Sequence, residues 1–408
     1  MNCRHCKSKL NLGLVDLGFA PLSNAYLNKE DLNSTESYYP LRVHVCKKCW
    51  LVQTEDYSRP DEIFNESYAY FSSVSKSWVK HAEDFSKLAI QKLKLNKSSF
   101  IIEIASNDGY LLRNFKEAGI PCLGIEPTKS TALAAKKIGI KTLIKFFGKD
   151  LAINLKKEKK MADLIIGNNV YAHVPDINDF TAGMKRILKK EGVIVLEFPH
   201  VLNLLNLMQF DTIYHEHFSY LSLFTVKKIF EKFGLRVWDV EKISTHGGSL
   251  RVYGCHVDSI REEEVSVREI LEIEKKNGLQ KEAIYKNYQD KVNAIKNSFV
   301  NFLLSQKLNG KKVIGYGAAA KSNTLINYAG VKNDLIEFVC DGAKSKQGKY
   351  LPGSHIAIVD PDMLKQTNPD CIVIFPWNIR DEIKEILKNR YKWTGKSVIV
   401  APSGIELI

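Results

Sequence analysis

Phe100-Ile101-Ile102-Glu103-Ile104-Ala105-Ser106-Asn107-Asp108-Gly109 is the stretch whose reading decides the fold. Its β-branched first half predicts a strand. The small and polar residues that follow predict a tight turn, and Tyr110 to Ala118 continues as a helix. A strand, a small-residue turn and a helix make the opening crossover of a doubly wound, nucleotide-binding sheet. The turn lacks G-x-G-x-x-G, so a dinucleotide reading of it is weak. A second strand, Cys122-Leu123-Gly124-Ile125, ends at Glu126-Pro127. A carboxylate there can accept hydrogen bonds from both hydroxyls of a ribose. Further strands are predicted at Asp163 to Val170 and Gly192 to Phe198. Leu235 to Val240 and Gly248 to Tyr253 then read as a closing antiparallel pair.

This order of elements resembles the class I S-adenosylmethionine methyltransferase fold. The resemblance implies that the turn carrying Glu103, Ser106, Asn107, Asp108 and Gly109 passes the methionine part of the cofactor. It also implies that Glu126 and Pro127 hold the ribose and that Asn168 and Asn169 lie beside the methyl donor. Each residue alone is unremarkable, since a lone Asp-Gly is usually a turn. The order along one crossover series carries the reading.

The chain has 408 residues, too many for a single core, and two or three domains are expected. The divisions expected are 1–64, 65–257 and 258–408: a zinc module, a methyltransferase unit, and linker helices with a second Rossmann-like unit. With 45% hydrophobic and 26% charged residues the composition is that of a soluble globular protein. No apolar run approaches the roughly 20 residues a spanning helix needs. The N-terminus carries no apolar signal, so a cytoplasmic protein without membrane contact is expected. The net charge of +13 reads mainly as a solvated lysine surface. Oligomeric state is not legible at this level.

Cys3-x-x-Cys6 and Cys46-x-x-Cys49 form a paired set, and the other four of the eight cysteines are isolated. Each pair can bite a tetrahedral ion from one tight turn. Four thiolates leave no open position for water, which predicts a structural rather than a catalytic zinc. A pair of redox dithiols would need a βαβ context that is not visible here. The 39 residues between the pairs are too few to fold readily without the metal. Downstream, Tyr68-Ala69-Tyr70-Phe71 precedes a helix from about Val74 to Leu95. These aromatics suit either a flap over a ligand or interdomain packing.

Just beyond the fourth strand lies Tyr214-His215-Glu216-His217-Phe218-Ser219-Tyr220. Two imidazoles, a carboxylate and two phenols in seven residues suit proton transfer better than a packed core. His173 follows the third strand, and His246 opens His246-Gly247-Gly248. Three stretches thus bring imidazoles to the carboxyl-end rim where doubly wound sheets bind ligands. Oxygen or nitrogen acceptors need at most one base. A carbon acceptor must first lose a proton, normally beside a carbonyl, and its enolate oxygen then needs donors. His215-x-His217 as a metal ligand pair lacks a third partner at convincing spacing, and a helix cap without chemistry is the other alternative.

Together, the four-cysteine module, the Glu-Ile-Ala-Ser-Asn-Asp-Gly turn and the Tyr-His-Glu-His segment resemble the bacterial sugar C-methyltransferases of deoxysugar biosynthesis. The likeness runs nearly end to end. It implies methylation of a carbon next to the ketone of a nucleotide-linked deoxysugar. By motif match His217 is the base, Tyr214 and Glu216 orient it or the substrate, and His173 and Tyr70 line the pocket. His215 is left without a role.

From about Ile260 to Leu308 the pattern predicts one or two charged, solvent-exposed connecting helices. Gly315-Tyr316-Gly317-Ala318-Ala319-Ala320-Lys321 then follows a strand, and Asp341 ends the next one. Spacing alone fits a dinucleotide fingerprint. A diphosphate on the glycine turn and helix N-terminus, paired with Lys321, fits as well, as does a purely structural unit. Gly315, Gly317, Lys321 and His246 are therefore candidate substrate contacts. Two other functions compete. A nucleic-acid methyltransferase fits the zinc and the charge, but the third strand ends in Gly-Asn-Asn-Val-Tyr, not the turn used for base amines, so no nucleic-acid partner is expected. An NAD-dependent sugar oxidoreductase would use the last unit.

Overall fold

The computed structural model describes residues 1–57 and 71–408. Three sheets organise it. The central one has seven strands in the order Leu235–Ile243, Ser249–His256, Leu188–Pro199, Ala162–Asn168, Ile101–Ile104, Cys122–Ile125, Thr142–Leu143. The last five run parallel, and Ser249–His256 inserts antiparallel between its two neighbours. This is the class I methyltransferase sheet, closed by the expected antiparallel pair. Its strands read as apolar runs because helices cover both faces. Alternation along Ile101–Ile104 sends Ile102 and Ile104 into one core and Ile101 into the other.

The C-terminal sheet has six strands in the order Ala357–Val359, Phe338–Cys340, Val313–Tyr316, Cys371–Ile374, Lys396–Ala401, Gly404–Leu407. All pairings are parallel except the last, a Rossmann-like arrangement. The connecting segment departs from its expected exposure. Val265–Lys276 and Tyr288–Leu308 are both helices, but each buries a stripe. On the second helix Tyr288, Val292, Ile295, Phe299 and Leu303 recur every three or four residues and join the core shared with the first and last units. The charged majority of the sequence masked that stripe.

The N-terminal sheet orders Leu12–Ala20, Tyr39–Val45, Val52–Thr54 and Ser219–Tyr220. Its fourth strand is the end of the Tyr-His-Glu-His segment, with Val52 opposite Tyr220 and Gln53 opposite Ser219. The segment is therefore held by the zinc module as well as by the methyltransferase sheet. Among the described residues no helix is long and apolar enough to cross a membrane.

Candidate active site

One cavity of about 700 Å³ lies where the three units meet. Its first wall is the carboxyl end of the central sheet. At the first turn Ala105, Asn107 and Gly109 all have positive φ, at 57°, 49° and 80°. The alternating left-handed residues coil the chain so that Ala105 and Asn107 reach the cavity. Gly109 turns instead toward Ala135 and Ile140, and Ser106 lies beneath the neighbouring strand against Gly124. Asp108 accepts from the Ser73 amide at 3.1 Å, and Asn107 Oδ1 accepts from Ser72 N at 2.9 Å. Glu103 is fully buried, and burial, with Glu126 and Asp108 nearby, pushes its carboxyl well above the usual range. Of the expected cofactor residues, Asn107, Glu126, Pro127, Asn168 and Asn169 line the cavity, while Glu103, Ser106, Asp108 and Gly109 shape the turn from behind.

Glu126 accepts from Asn107 N at 2.9 Å and Thr128 N at 2.8 Å, and the Thr128 and Thr131 side chains also hydrogen-bond to it. The side-chain amides of Asn168 and Asn169 are buried with no partner among the described residues on either atom. Orphaned amides cost about 1–3 kcal/mol each unless a ligand pairs them. A ribose acceptor beside unpaired amides at the sheet's carboxyl end fits S-adenosylmethionine.

The second wall is the loop from Asp211 to Tyr220. His217 Nδ1 lies 2.7 Å from the carbonyl of Thr212. A carbonyl only accepts, so Nδ1 carries the proton and Nε2 the lone pair. Burial, then the charge of His173, pulls the His217 pKa well below its ordinary value. The His173 ring crosses it at 4.6 Å between centroids and Tyr214 packs on it at 4.0 Å. Burial takes His173 and His246 each down to about 4. Glu216 accepts from Asn24 Nδ2 at 2.5 Å. His173, Tyr214, Glu216, His217 and His246 all line this one cavity. His215 does not, and its ring nitrogen Nε2 sits 3.3 Å from the carbonyls of both Tyr39 and Pro40. It is a clamp between the loop and the N-terminal sheet. Tyr70 and Tyr68 lie outside the described residues.

The loop is fastened from both sides. Thr54 Oγ1 donates to the His217 carbonyl at 3.0 Å. Thr324 Oγ1 donates to the Ile213 carbonyl at 2.8 Å, and Trp377 Nε1 to Asp211 at 2.6 Å. The third wall is the start of the helix Ala320–Ala329, with Lys321 and Lys346. Lys321 donates to Asn378 at 2.7 Å and sits 4.1 Å from the Trp377 ring centre. Gly315 and Gly317 do not reach the cavity, which corrects their expected role. A Cβ on Gly315 would meet Phe375 at 2.6 Å, and one on Gly317 would meet Pro376 at 2.4 Å. The turn is filled by its own chain. Asp341 is likewise engaged, accepting from the amides of Ala318 and Ala343 at 2.8 Å.

Asn24, Thr212, Tyr220 and Lys346 also line the cavity and were missed as site residues. Tyr220 stood inside the quoted segment, and Thr212 two residues before it. Asn24 and Lys346 carry no local signal, the latter being one lysine in a lysine-rich chain.

The zinc knuckles sit behind the loop. Among the described residues, the four sulfurs of Cys3, Cys6, Cys46 and Cys49 lie within 4.8 Å of one another, with Cys3–Cys49 at 3.5 Å and Cys6–Cys46 at 3.4 Å. Tetrahedral zinc thiolates have sulfurs about 3.8 Å apart, so the cluster fits the ion. Arg4, within the first knuckle, is buried and donates at 2.8 Å to the carbonyls of Thr54 and Pro175.

Comparison with known proteins gives this geometry its setting. Family models match residues 3–64 as a zinc binding domain, 78–240 as a methyltransferase domain and 244–402 as a C-methyltransferase C-terminal domain. The chain is 33% identical over 391 residues to the C-methyltransferase NovU of Streptomyces niveus, covering 95% of this chain and 93% of that one. The chain belongs to the C-methyltransferase family. This C-methyltransferase uses S-adenosylmethionine and carries a structural zinc at its four clustered cysteines. A weaker likeness, 24% identical over 31% of the chain and 61% of the relative, is to a ubiquinone biosynthesis O-methyltransferase of Pelagibacter ubique. Among solved structures, the PH0226 protein of Pyrococcus horikoshii matches 49% of the chain and 99% of its own at TM-score 0.39 and 15% identity.

Proposed function

We propose that this C-methyltransferase methylates a carbon next to the ketone of a nucleotide-linked deoxysugar, with His217 as the base. The observation that carries the reading is the bond from His217 Nδ1 to the Thr212 carbonyl, which leaves Nε2 unprotonated on a cavity wall. Deprotonation moves the C–H pair into an enolate and the proton to Nε2. Tyr214 packs on the base and its phenol can donate to the enolate oxygen, while Glu216, braced by Asn24, can accept from a sugar hydroxyl. His173 and His246 stay neutral near pH 7 and serve as hydrogen-bonding walls. Tyr70 belongs to the same reading as part of a flap. S-adenosylmethionine, when bound, supplies an electrophilic methyl group. Glu126 takes the cofactor ribose, and Asn168 and Asn169 pair beside the reacting centre. Lys321, at the N-terminus of its helix, faces the substrate's diphosphate.

The divisions 1–64, 65–257 and 258–408 are kept as the units of this reading, and the enzyme is placed in the cytoplasm, where its thiols stay reduced. The test is incubation with S-adenosylmethionine and a panel of nucleotide-linked keto-deoxysugars in deuterated water, read by mass spectrometry. A gain of one methyl with loss of the α-proton is expected. Methylation on oxygen, or no methylation of any keto sugar alongside salt-sensitive methylation of RNA or DNA, would overturn it.

A further inference from the structure

We infer that Lys346 grips the anionic linker of the substrate, and that Tyr26 and Asn24 tie that grip to Glu216. The inference rests on the substrate class proposed above and adds the residues that select it. Lys346 lies in the loop after Phe338–Cys340, and its ammonium donates to the Ala318 carbonyl at 2.8 Å, 3.7 Å from Asp341. It also lies 5.3 Å from the centre of the Tyr26 ring. The Tyr26 hydroxyl donates to the same Ala318 carbonyl at 2.6 Å and lies 3.2 Å from Asn24 Oδ1. Asn24 then donates to Glu216 at 2.5 Å. The chain of contacts runs from the last unit, through a strap of the first, to the reacting loop.

Charge says what this end of the cavity takes. Lys321 and Lys346 both line it, and so does the start of the helix Ala320–Ala329, whose cap residue Ala319 has no side chain to satisfy the first amides. Two ammoniums and a helix N-terminus stand here with three carboxylates that are each engaged by donors: Asp341 accepts from two backbone amides, Asp211 from the Trp377 indole and Glu216 from Asn24. An anionic group can pair with the two ammoniums and the first-turn amides, and a neutral sugar cannot do so by charge.

The strap cannot shift alone. Asn323 donates to the Ser23 carbonyl at 2.6 Å, and Leu27 exchanges backbone bonds of 3.0 and 2.8 Å with Tyr350. A linker held at Lys346 therefore fixes where the sugar stands relative to Glu216, and binding energy from the remote end serves orientation at the reacting carbon.

Lys346→Met keeps the aliphatic stem over Tyr26 and removes the charge. It is expected to raise KM for the nucleotide-linked sugar by about tenfold or more, with Lys346→Arg recovering most of the loss. Tyr26→Phe is expected to lower kcat by about tenfold with little change in KM. Calorimetric affinity for S-adenosylmethionine, unchanged in all three variants, checks that each is folded. A Lys346→Met KM within about twofold of wild type, in an enzyme that does methylate the nucleotide-linked sugar, overturns the inference alone. Equal turnover of the same keto sugar without its nucleotide overturns the proposed substrate and the inference with it.

Discussion

The Thr212 carbonyl, 2.7 Å from His217 Nδ1, fixes one tautomer of a buried imidazole, and two predictions follow from that atom-level fact. His217→Ala should lower kcat by about 10²–10⁴-fold and abolish exchange of the α-proton with deuterated solvent, while affinity for S-adenosylmethionine persists. Calorimetry and mass spectrometry read the two halves. The second concerns pH. A base is active when unprotonated, and the His217 pKa lies well below its ordinary 6.5, so the acid limb of kcat/KM should fall below that value. Stability follows the same sign. His173 and His246 titrate at about 4 when folded against 6.5 otherwise, so between those values the unfolded chain binds more protons. Stability should decline as pH falls through that window, by up to about 1.4 kcal/mol per pH unit for each group, as read by denaturant titration. At this scale the residue types in Tyr-His-Glu-His were legible and the tautomer was not, because nothing marks the Thr212 carbonyl as the acceptor until the chain folds back on it. His215 shows the same gap, since its partners at Tyr39 and Pro40 come from another sheet.

Elements built from neighbours in the chain were easier to read. The strand at Ile101–Ile104 and the turn after it follow from local β propensity and small residues. That turn places Ala105 at φ 57°, where a Cβ costs about 1–2 kcal/mol. Ala105→Gly should therefore stabilise the protein by about 0.5–1 kcal/mol, after glycine's own entropic cost, with a rise in Tm. Gly109→Ala should destabilise it, because φ is 80° and the new Cβ would lie 3.1 Å from Ile140. The pairing of Val52–Thr54 with Ser219–Tyr220 had no such signal. Two residues are too short for a period, and their partner lies in a different unit. The long helix Tyr288–Leu308 was read as exposed for a related reason: its lysines set the average, while five spaced apolar residues set the packing.

Across the whole molecule, the zinc module works as a buttress. Arg4 and Val52–Thr54 are placed by the cysteine knuckles and hold the backbone behind His173 and His217. Removing zinc with a chelator should abolish methyl transfer while the central sheet still binds S-adenosylmethionine, and added zinc should restore activity; activity that survives complete removal of the metal would contradict the buttress. What the sequence determined by itself was whatever depends on residues a few positions apart: the crossover strands and turn, the two cysteine bites, the reacting segment and the order of three units. Only the tertiary structure decided which polar groups face the cavity and which are consumed elsewhere. Glu103, Ser106, Gly315 and Gly317 were drawn into the protein, whereas Asn24 and Lys346 were brought to the cavity wall. The physical reason is that strand, turn and chelate formation are short-range, while the facing of a side chain is set by close packing between segments remote in sequence.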